Sequence, residues 1–170
     1  MTCQRSCWYC ADVGDLSGLG EADWTMWRGF VTMRRLVDRA LEHRLQADAG
    51  ISTADFDVLQ ALSRAEGHRL RAGVLAETMG WEKSRISHQV SRMTARGLLE
   101  RAECPADARG TWIVLAELGA DALAASVCGY AEVLQQTFFA PLGAADKRAL
   151  KALADRLLDD ERDRHAPVPA

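Results

Sequence analysis

The chain has 170 residues, of which 48% are hydrophobic and 26% charged, and its formal net charge is −3. This composition is typical of a globular protein with one domain, or with one domain and a dimerisation module, and no apolar run is long enough to cross a bilayer. Because the first residues also lack a basic-then-apolar signal pattern, we expect a cytoplasmic protein.

Three closely spaced cysteines precede the first predicted element. They follow the spacing C-x3-C-x2-C, with an aromatic residue before the last: Cys3, Cys7, Tyr9 and Cys10. This spacing is similar to the cluster-binding signature of radical SAM enzymes, and three thiolates could hold an iron–sulfur cluster or, with a fourth ligand, zinc. That enzyme class needs alternating strands and helices, which the chain lacks. We therefore predict that residues 1–20 form a flexible extension, with a thiol- or metal-responsive role as the alternative.

Amphipathic periodicity predicts a long helix over residues 21–47, followed by two shorter helices. The apolar stripe of the long helix has residues at helical spacing: Trp24, Trp27, Val31, Val37, Leu41 and Leu45. Ser52 and Asp55 form an S-x-x-D signal that opens the next helix, which we expect to end at Gly67. The second short helix closes at Gly80, because a glycine there can adopt the left-handed conformation that ends a helix.

The helix after Gly80 has an apolar stripe and a polar face. Ile86, Val90 and Met93 fall at i, i+4 and i+7, so they can pack against a core. The side chains that point away from this stripe, or flank it, include no acidic residue: Ser84, Arg85, Ser87, His88, Gln89, Ser91, Arg92 and Arg96. Gly97 follows them where a left-handed glycine would end the helix.

This polar face has the chemistry that reads duplex DNA. Arginine binds guanine or phosphate, glutamine binds adenine, and serine bonds to either. Lys83 lies in the first turn, where free N–H groups and the helix dipole favour a phosphate. Residues 69–96 contain six Lys or Arg against two Glu, so basic charge is concentrated here. We predict a DNA-binding surface, with a solvated helix face as the alternative: Lys83, Ser84, Arg85, Ser87, His88, Gln89 and Arg92.

Two short strands joined by a turn-prone loop follow this helix. We predict strands at residues 98–102 and Thr111–Leu115, with the loop over residues 105–110. Such a wing can lie along a minor groove, where narrow A·T tracts attract arginine. We predict that Arg109 enters the groove and that Asp107 holds it or a neighbouring arginine in place. The alternative is that both are solvated charges on a mobile hairpin.

The order helix, helix, polar-faced helix and hairpin is that of a winged helix-turn-helix. In such docking the middle helix crosses the DNA backbone, so Arg69 and Arg71, near its predicted start, are candidate phosphate contacts. Residues 51–119 resemble the MarR (multiple antibiotic resistance regulator) family of bacterial transcription factors. The matching segments are DFDVLQALSRAEG, LRAGVLAETMGWEKSRISHQVSRMTARGLLER and the D-A-R-G wing before TWIVLAELG.

The terminal helices need a partner for their apolar stripes. Together they cannot form a compact core with one small winged domain, so we expect a second copy in a C2 dimer. The resemblance implies the same, because family members dimerise through their terminal helices. We assign residues 21–50 and 118–164 to dimerisation, residues 51–117 to the winged helix-turn-helix and residues 165–170 to a tail.

The predicted fold is mainly α with a small β-hairpin, and the predicted function is sequence-specific DNA binding by a homodimeric repressor. The resemblance implies release by a small ligand between the dimer helices and the winged domain, where Trp24, Trp27 and Trp81 are candidate walls or ordinary packing. The alternatives are the thiol- or metal-responsive regulator and a winged-helix module that binds proteins without DNA affinity. The chain has no G-x-S-x-G, no H-E-x-x-H and no phosphate-cradling glycine loop, so we predict neither an enzyme nor a cofactor.

Overall fold

The computed structural model describes residue 18, residues 20–103 and residues 111–165, with side chains described as far as residue 160. Six α-helices occur in these residues: α1 Glu21–Ala49, α2 Thr53–Arg64, α3 Ala72–Met79, α4 Lys83–Ala95, α5 Glu117–Leu134 and α6 Ala144–His165. Three strands form one sheet: β1 Arg69–Arg71, β2 Leu99–Glu103 and β3 Thr111–Leu115. A 3₁₀ turn at Glu66–His68 precedes β1, and a π-helical turn at Gln135–Phe139 follows α5. The predicted class, mainly α with a small amount of β, is confirmed.

The chain divides into two compact units, of which the first ends at Arg39 and the second begins at Ala40. In the first unit, the helical residues described belong to α1. Its large apolar side chains are mostly exposed: Met26, Trp27, Phe30, Met33 and Leu36. In neither unit does the described part contain a helix that is both long and apolar enough to cross a membrane.

The second unit is built around a core between α2, α3, α4 and the sheet. Helix α2 begins with the predicted capping box, in which the Ser52 hydroxyl accepts from the Asp55 N–H at 3.1 Å and the Asp55 carboxylate accepts from the Ser52 N–H at 2.9 Å. Phe56 is buried next along the helix, and its ring stacks on Tyr130 of α5 with 4.4 Å between centroids. Aliphatic side chains fill the rest: Leu45, Ile51, Leu59, Leu62, Leu75, Ile86, Val90, Met93, Leu99 and Ile113.

The sheet has the antiparallel order β1-β3-β2. Leu70 lies opposite Ile113, which belongs to the core cluster, and Leu70 packs against that cluster. Because successive residues alternate between the two faces of a strand, Arg69, Arg71 and Trp112 project from the other face. The sequence predicted β3 at its observed bounds and β2 one residue too early, but it missed β1. Three residues are too few to show a period of two.

Gly129 allows α5 to pack closely against the end of α1. The Arg44 Nε of α1 bonds to Asp48 Oδ2 at 2.7 Å, and its Nη1 bonds to Glu132 Oε2 of α5 at 3.0 Å. A Cβ at Gly129 would overlap this ion pair. The polar contact between α1 and α5 therefore requires glycine, which has no side chain, at position 129.

Glu42 of α1 accepts two hydrogen bonds from Thr53, the first residue of α2. Its Oε2 accepts from the Thr53 N–H at 2.7 Å and from the Thr53 hydroxyl at 2.8 Å. The backbone hydrogen bond from Thr53 lowers the pKa of Glu42 below its ordinary value, against the opposing effect of burial. The carboxylate is thus held in its charged form at the corner between the two helices.

The Glu42→Gln substitution is expected to remove part of the dependence of stability on pH. Because the folded-state pKa is depressed, the contribution of Glu42 is fully present above its unfolded-state pKa, about 4.3, and is lost as the pH falls through the folded-state pKa. Urea unfolding of both proteins at a series of pH values should show their free energies of unfolding converging at acid pH. A difference that stays constant across the series would contradict this role.

Candidate nucleic-acid interface

Helix α4 carries the predicted DNA-binding surface, and its two ends differ. At its start, the N-cap residue Glu82 makes no side-chain cap, and the first N–H groups of a helix have no intrahelical acceptor. At its end, Gly97 is left-handed with φ 74°, its N–H donates to the Thr94 carbonyl, and the Leu98 N–H donates to the Met93 carbonyl, both at 3.0 Å. These bonds form a Schellman motif. The helix therefore ends at the glycine that the sequence predicted.

Six of the predicted residues are exposed on α4, and we call them the recognition face: Lys83, Ser84, Arg85, Ser87, His88 and Arg92. The opposite face buries Ile86, Val90 and Met93, as their spacing predicted. The recognition face therefore combines three cations, two hydroxyls and an imidazole on one rigid helix, with no carboxylate. Such a face offers donors to phosphates and both donors and acceptors to base edges.

Gln89 is buried, which corrects the prediction that its amide is exposed, whereas Arg96 is exposed as predicted but is paired with Asp55. Gln89 is only 8% exposed, and its Nε2 donates to Asp55 Oδ1 at 2.6 Å. Arg96 turns back from the end of α4, and donates to Asp55 Oδ2 at 2.7 Å and to the Gly50 carbonyl at 2.6 Å. Asp55 is itself 1% exposed. The buried carboxylate on α2 therefore holds the Gln89 amide in the interior and pairs with the exposed Arg96.

Trp81 lies under Arg85. The guanidinium carbon of Arg85 is 3.7 Å from the centroid of the Trp81 ring, which is a stacked cation–π contact. Trp81 is half-buried and packs against the core cluster. The ring predicted to line a ligand pocket is thus covered by a residue of the recognition face. Because Trp81 precedes α4, the helical spacing within α4 gave no signal for this contact.

Arg101 of β2 lies beside α4 and was not among the predicted contacts. Its Nη2 donates to Ser91 Oγ on α4 at 3.2 Å. It also borders a cleft of about 150 Å³ between α4 and the sheet, with Lys83 and Ser87 on the opposite wall. Alternation along the strand places Arg101 on the same side as the buried Leu99, toward α4, so the pattern LERAE could have identified it.

Arg69 and Arg71 lie in strand β1, not in a helix, which corrects the prediction of their element. Helix α3 begins only at Ala72. Their guanidinium carbons lie 4.8 and 4.5 Å from the centroid of the Trp112 ring on β3. Both arginines thus stand on the sheet face opposite the core and are not part of the recognition face.

Several predicted site residues lie outside the described residues: Asp107, Arg109, Cys3, Cys7 and Cys10. Within the described part of the chain, no group of three or more His, Cys, Asp or Glu side chains is arranged to hold a metal ion. Trp24 and Trp27 lie on α1 in the first unit, where Trp27 stacks on Phe30 with 5.6 Å between centroids. Trp81 lies in the second unit.

Comparison with known proteins gives consistent matches. A family model described as the MarR family matches residues 49–110. AbsC, a MarR family transcriptional regulator from Streptomyces coelicolor, is 30% identical with a TM-score of 0.78, and the match covers 85% of this chain and 97% of AbsC. None of the curated proteins compared with the chain matches it significantly.

Two further solved structures were determined as complexes. Sco3205, a MarR family transcriptional regulator from Streptomyces coelicolor in complex with DNA, is 27% identical with a TM-score of 0.78, over 84% of this chain and 89% of its own. The PcaV transcriptional regulator from the same organism, in complex with its natural ligand, is 26% identical with a TM-score of 0.62, over 75% of this chain and 89% of its own. The residues matched by the family model include the whole recognition face.

Proposed function

Because this chain belongs to the MarR family of transcriptional regulators, we propose that it is a repressor whose homodimer binds a pseudo-palindromic operator through two copies of the recognition face. Regulation of transcription through DNA binding follows from the family. We propose, beyond this, the mode of operator binding, the repression and the homodimer. The observation that carries it is the carboxylate-free recognition face on an exposed helix whose other side is locked into the core.

Each part of the recognition face suits a different DNA group. Lys83 lies in the first turn of α4, where the open N–H groups and the helix dipole favour a phosphate. Arg85 can bind guanine O6 and N7 through two donors, and the hydroxyls of Ser84 and Ser87 can accept or donate. His88 and Arg92 follow one and two turns further along the helix, so they reach neighbouring bases or phosphates.

Cations outside α4 extend this contact in our proposal. Arg101, beside the recognition face, binds a backbone phosphate. Arg109 enters the minor groove and Asp107 holds it in place. Arg69 and Arg71, which project from the edge strand of the sheet, remain candidates for phosphates further along the duplex.

Exposed apolar surface supports the homodimer. Beyond the five side chains of α1 in the first unit, α5 and α6 also expose large apolar residues: Leu118, Val127, Leu153, Leu157 and Leu158. Exposed apolar residues on long helices are best buried against a second copy related by a two-fold axis. Two recognition faces would then read half-sites about 10 bp apart, or a multiple of that distance.

A small-molecule effector is part of the proposal because PcaV was solved with its natural ligand. In the second unit, an apolar groove of about 390 Å³ lies along α5 and the end of β3, and is lined by Leu115, Ala120, Leu123 and Val127 among others. Trp24 and Trp27, in the first unit, stay predicted ligand contacts independently of this groove. An effector can act only if its affinity differs between the DNA-competent geometry and another one.

The test begins with selection of duplexes from a randomised DNA library by the purified full chain. We expect recovery of an inverted repeat, with affinity that falls steeply as salt rises because phosphate contacts release counterions. Weak binding to every duplex at all salt concentrations would instead indicate a protein-interaction module and overturn the proposal.

Arg85→Ala and Lys83→Ala are expected to weaken DNA binding in different ways. Loss of Arg85 should cost about 1–3 kcal/mol on the selected operator and relax specificity at one base position. Loss of Lys83 should weaken operator and random duplex alike and reduce the salt dependence. Fluorescence anisotropy with both duplexes separates the two effects. Equal losses on operator and random DNA for Arg85→Ala would contradict its role as a base reader.

A further inference from the structure

We propose that Trp81 is a positioning residue that fixes the direction of the Arg85 guanidinium and so sets the base specificity of the recognition face. The inference rests on the proposed DNA-binding function and adds to it a residue that need not touch DNA. It starts from one contact, the 3.7 Å between the Arg85 guanidinium carbon and the Trp81 ring centroid.

The indole is a fixed platform. The backbone N–H of Trp81 donates to the Ala76 carbonyl at 3.0 Å, across the turn made by left-handed Gly80. The side chain packs against the same core cluster that holds α3 and α4 together. The turn between the two helices therefore fixes the backbone of Trp81, and packing against the core cluster restricts its ring.

Stacking leaves the reading edge of Arg85 free. With the guanidinium carbon only 3.7 Å from the ring centroid, no N–H has room to point at the ring, so the guanidinium contacts the indole through its flat face. Its N–H donors lie in its own plane and are therefore left at the edge, where guanine O6 and N7 can accept two of them. Among the described residues, no carboxylate pairs with Arg85. The indole, rather than an ion pair, thus orients this side chain without neutralising it.

Arg92 provides an internal comparison. It lies on the same face of α4, but no aromatic ring of the described residues stacks beneath it. An arginine without a platform samples many rotamers and must lose that freedom on binding a base, whereas Arg85 has already lost much of it. Arg85 is therefore suited to discriminate bases and Arg92 to follow the backbone.

A double-mutant cycle tests the proposal. The measured quantity is the affinity for the selected operator divided by that for random duplex, at one salt concentration. Trp81→Leu should lower this ratio about tenfold in the otherwise unchanged protein, but by less than about twofold when Arg85 is already alanine. In an Arg92→Ala background the full loss should persist. Trp81→Phe, which keeps an aromatic face, should lose less than Trp81→Leu.

A readout without DNA separates positioning from a loss of folding. The side-chain protons of Arg85 should be shifted upfield by the indole ring current in the NMR spectrum, and this shift should vanish in Trp81→Leu while the core resonances stay dispersed. Equal losses from Trp81→Leu with and without Arg85, or no ring-current shift, would overturn the proposal. If the unaltered protein prefers no duplex over random DNA, the proposed function fails instead, and this inference fails with it.

Discussion

Replacing Gly119 with alanine is expected to lower the free energy of unfolding by about 3 kcal/mol, because the new methyl group has no space. A Cβ there would overlap the carbonyl oxygen of Leu98 and lie 2.9 Å from Leu59 Cδ2 and 3.1 Å from Leu115 Cδ1. The first of these atoms belongs to the backbone and cannot rotate away. It also accepts the hydrogen bond from the Ala116 N–H that leads the chain from β3 into α5.

Gly73→Ala is the matched control for this prediction. Gly73 is also helical, in α3, and an added Cβ would meet nothing within 4 Å. Alanine should leave the stability unchanged or raise it by up to about 1 kcal/mol, since it restricts the unfolded chain. Urea or thermal unfolding of both variants gives the comparison. If Gly119→Ala were as stable as Gly73→Ala, the close approach of α5 to Leu98 would be wrong.

Asp55→Ala is expected to destabilise the second unit by about 3 kcal/mol. The carboxylate is buried and accepts hydrogen bonds from the Ser52 N–H, Gln89 Nε2 and Arg96 Nη1. Its removal would leave Gln89 without an acceptor in the interior and remove a charged partner from Arg96. This loss of stability is larger than that for an ordinary helix cap, because all three donors bind the same carboxylate and lose it together.

Ser52→Ala is the control for this second prediction. It removes only the hydroxyl half of the capping box, so we expect a loss of about 1 kcal/mol. Chemical denaturation monitored by circular dichroism distinguishes the two losses. Asp55→Asn should fall between them, since the amide keeps one acceptor oxygen but lacks the charge that Arg96 requires. Similar small losses for all three variants would show that the buried network contributes little.

Local signals were sufficient to predict most of the fold. The capping box at Ser52 and Asp55 acts over four residues, and the left-handed glycines at positions 80 and 97 end their helices through bonds to the preceding turn. Such features involve only a few adjacent residues, so the sequence alone can reveal them. Ile86, Val90 and Met93 likewise face the core because a helix has a fixed period.

Contacts between distant segments could not be predicted in the same way. Gln89 is separated from Asp55 by 34 residues and Arg96 by 41, so their positions on α4 gave no indication of a buried acceptor. Strand β1 exists because it pairs with β3 some forty residues later, not because its three residues have a strand pattern. The exposure of the recognition face was predictable, and the exclusion of Gln89 from it was not.

The Arg96 side chain joins the end of α4 to two other segments of the chain. From the last turn of α4 it reaches the carbonyl of Gly50, just beyond α1, and the carboxylate of Asp55 in α2. The tail of α4 therefore cannot slide along the corner between α1 and α2 without breaking a charge-assisted bond. A movement of that corner relative to α4 would therefore require both Arg96 bonds to break or to re-form.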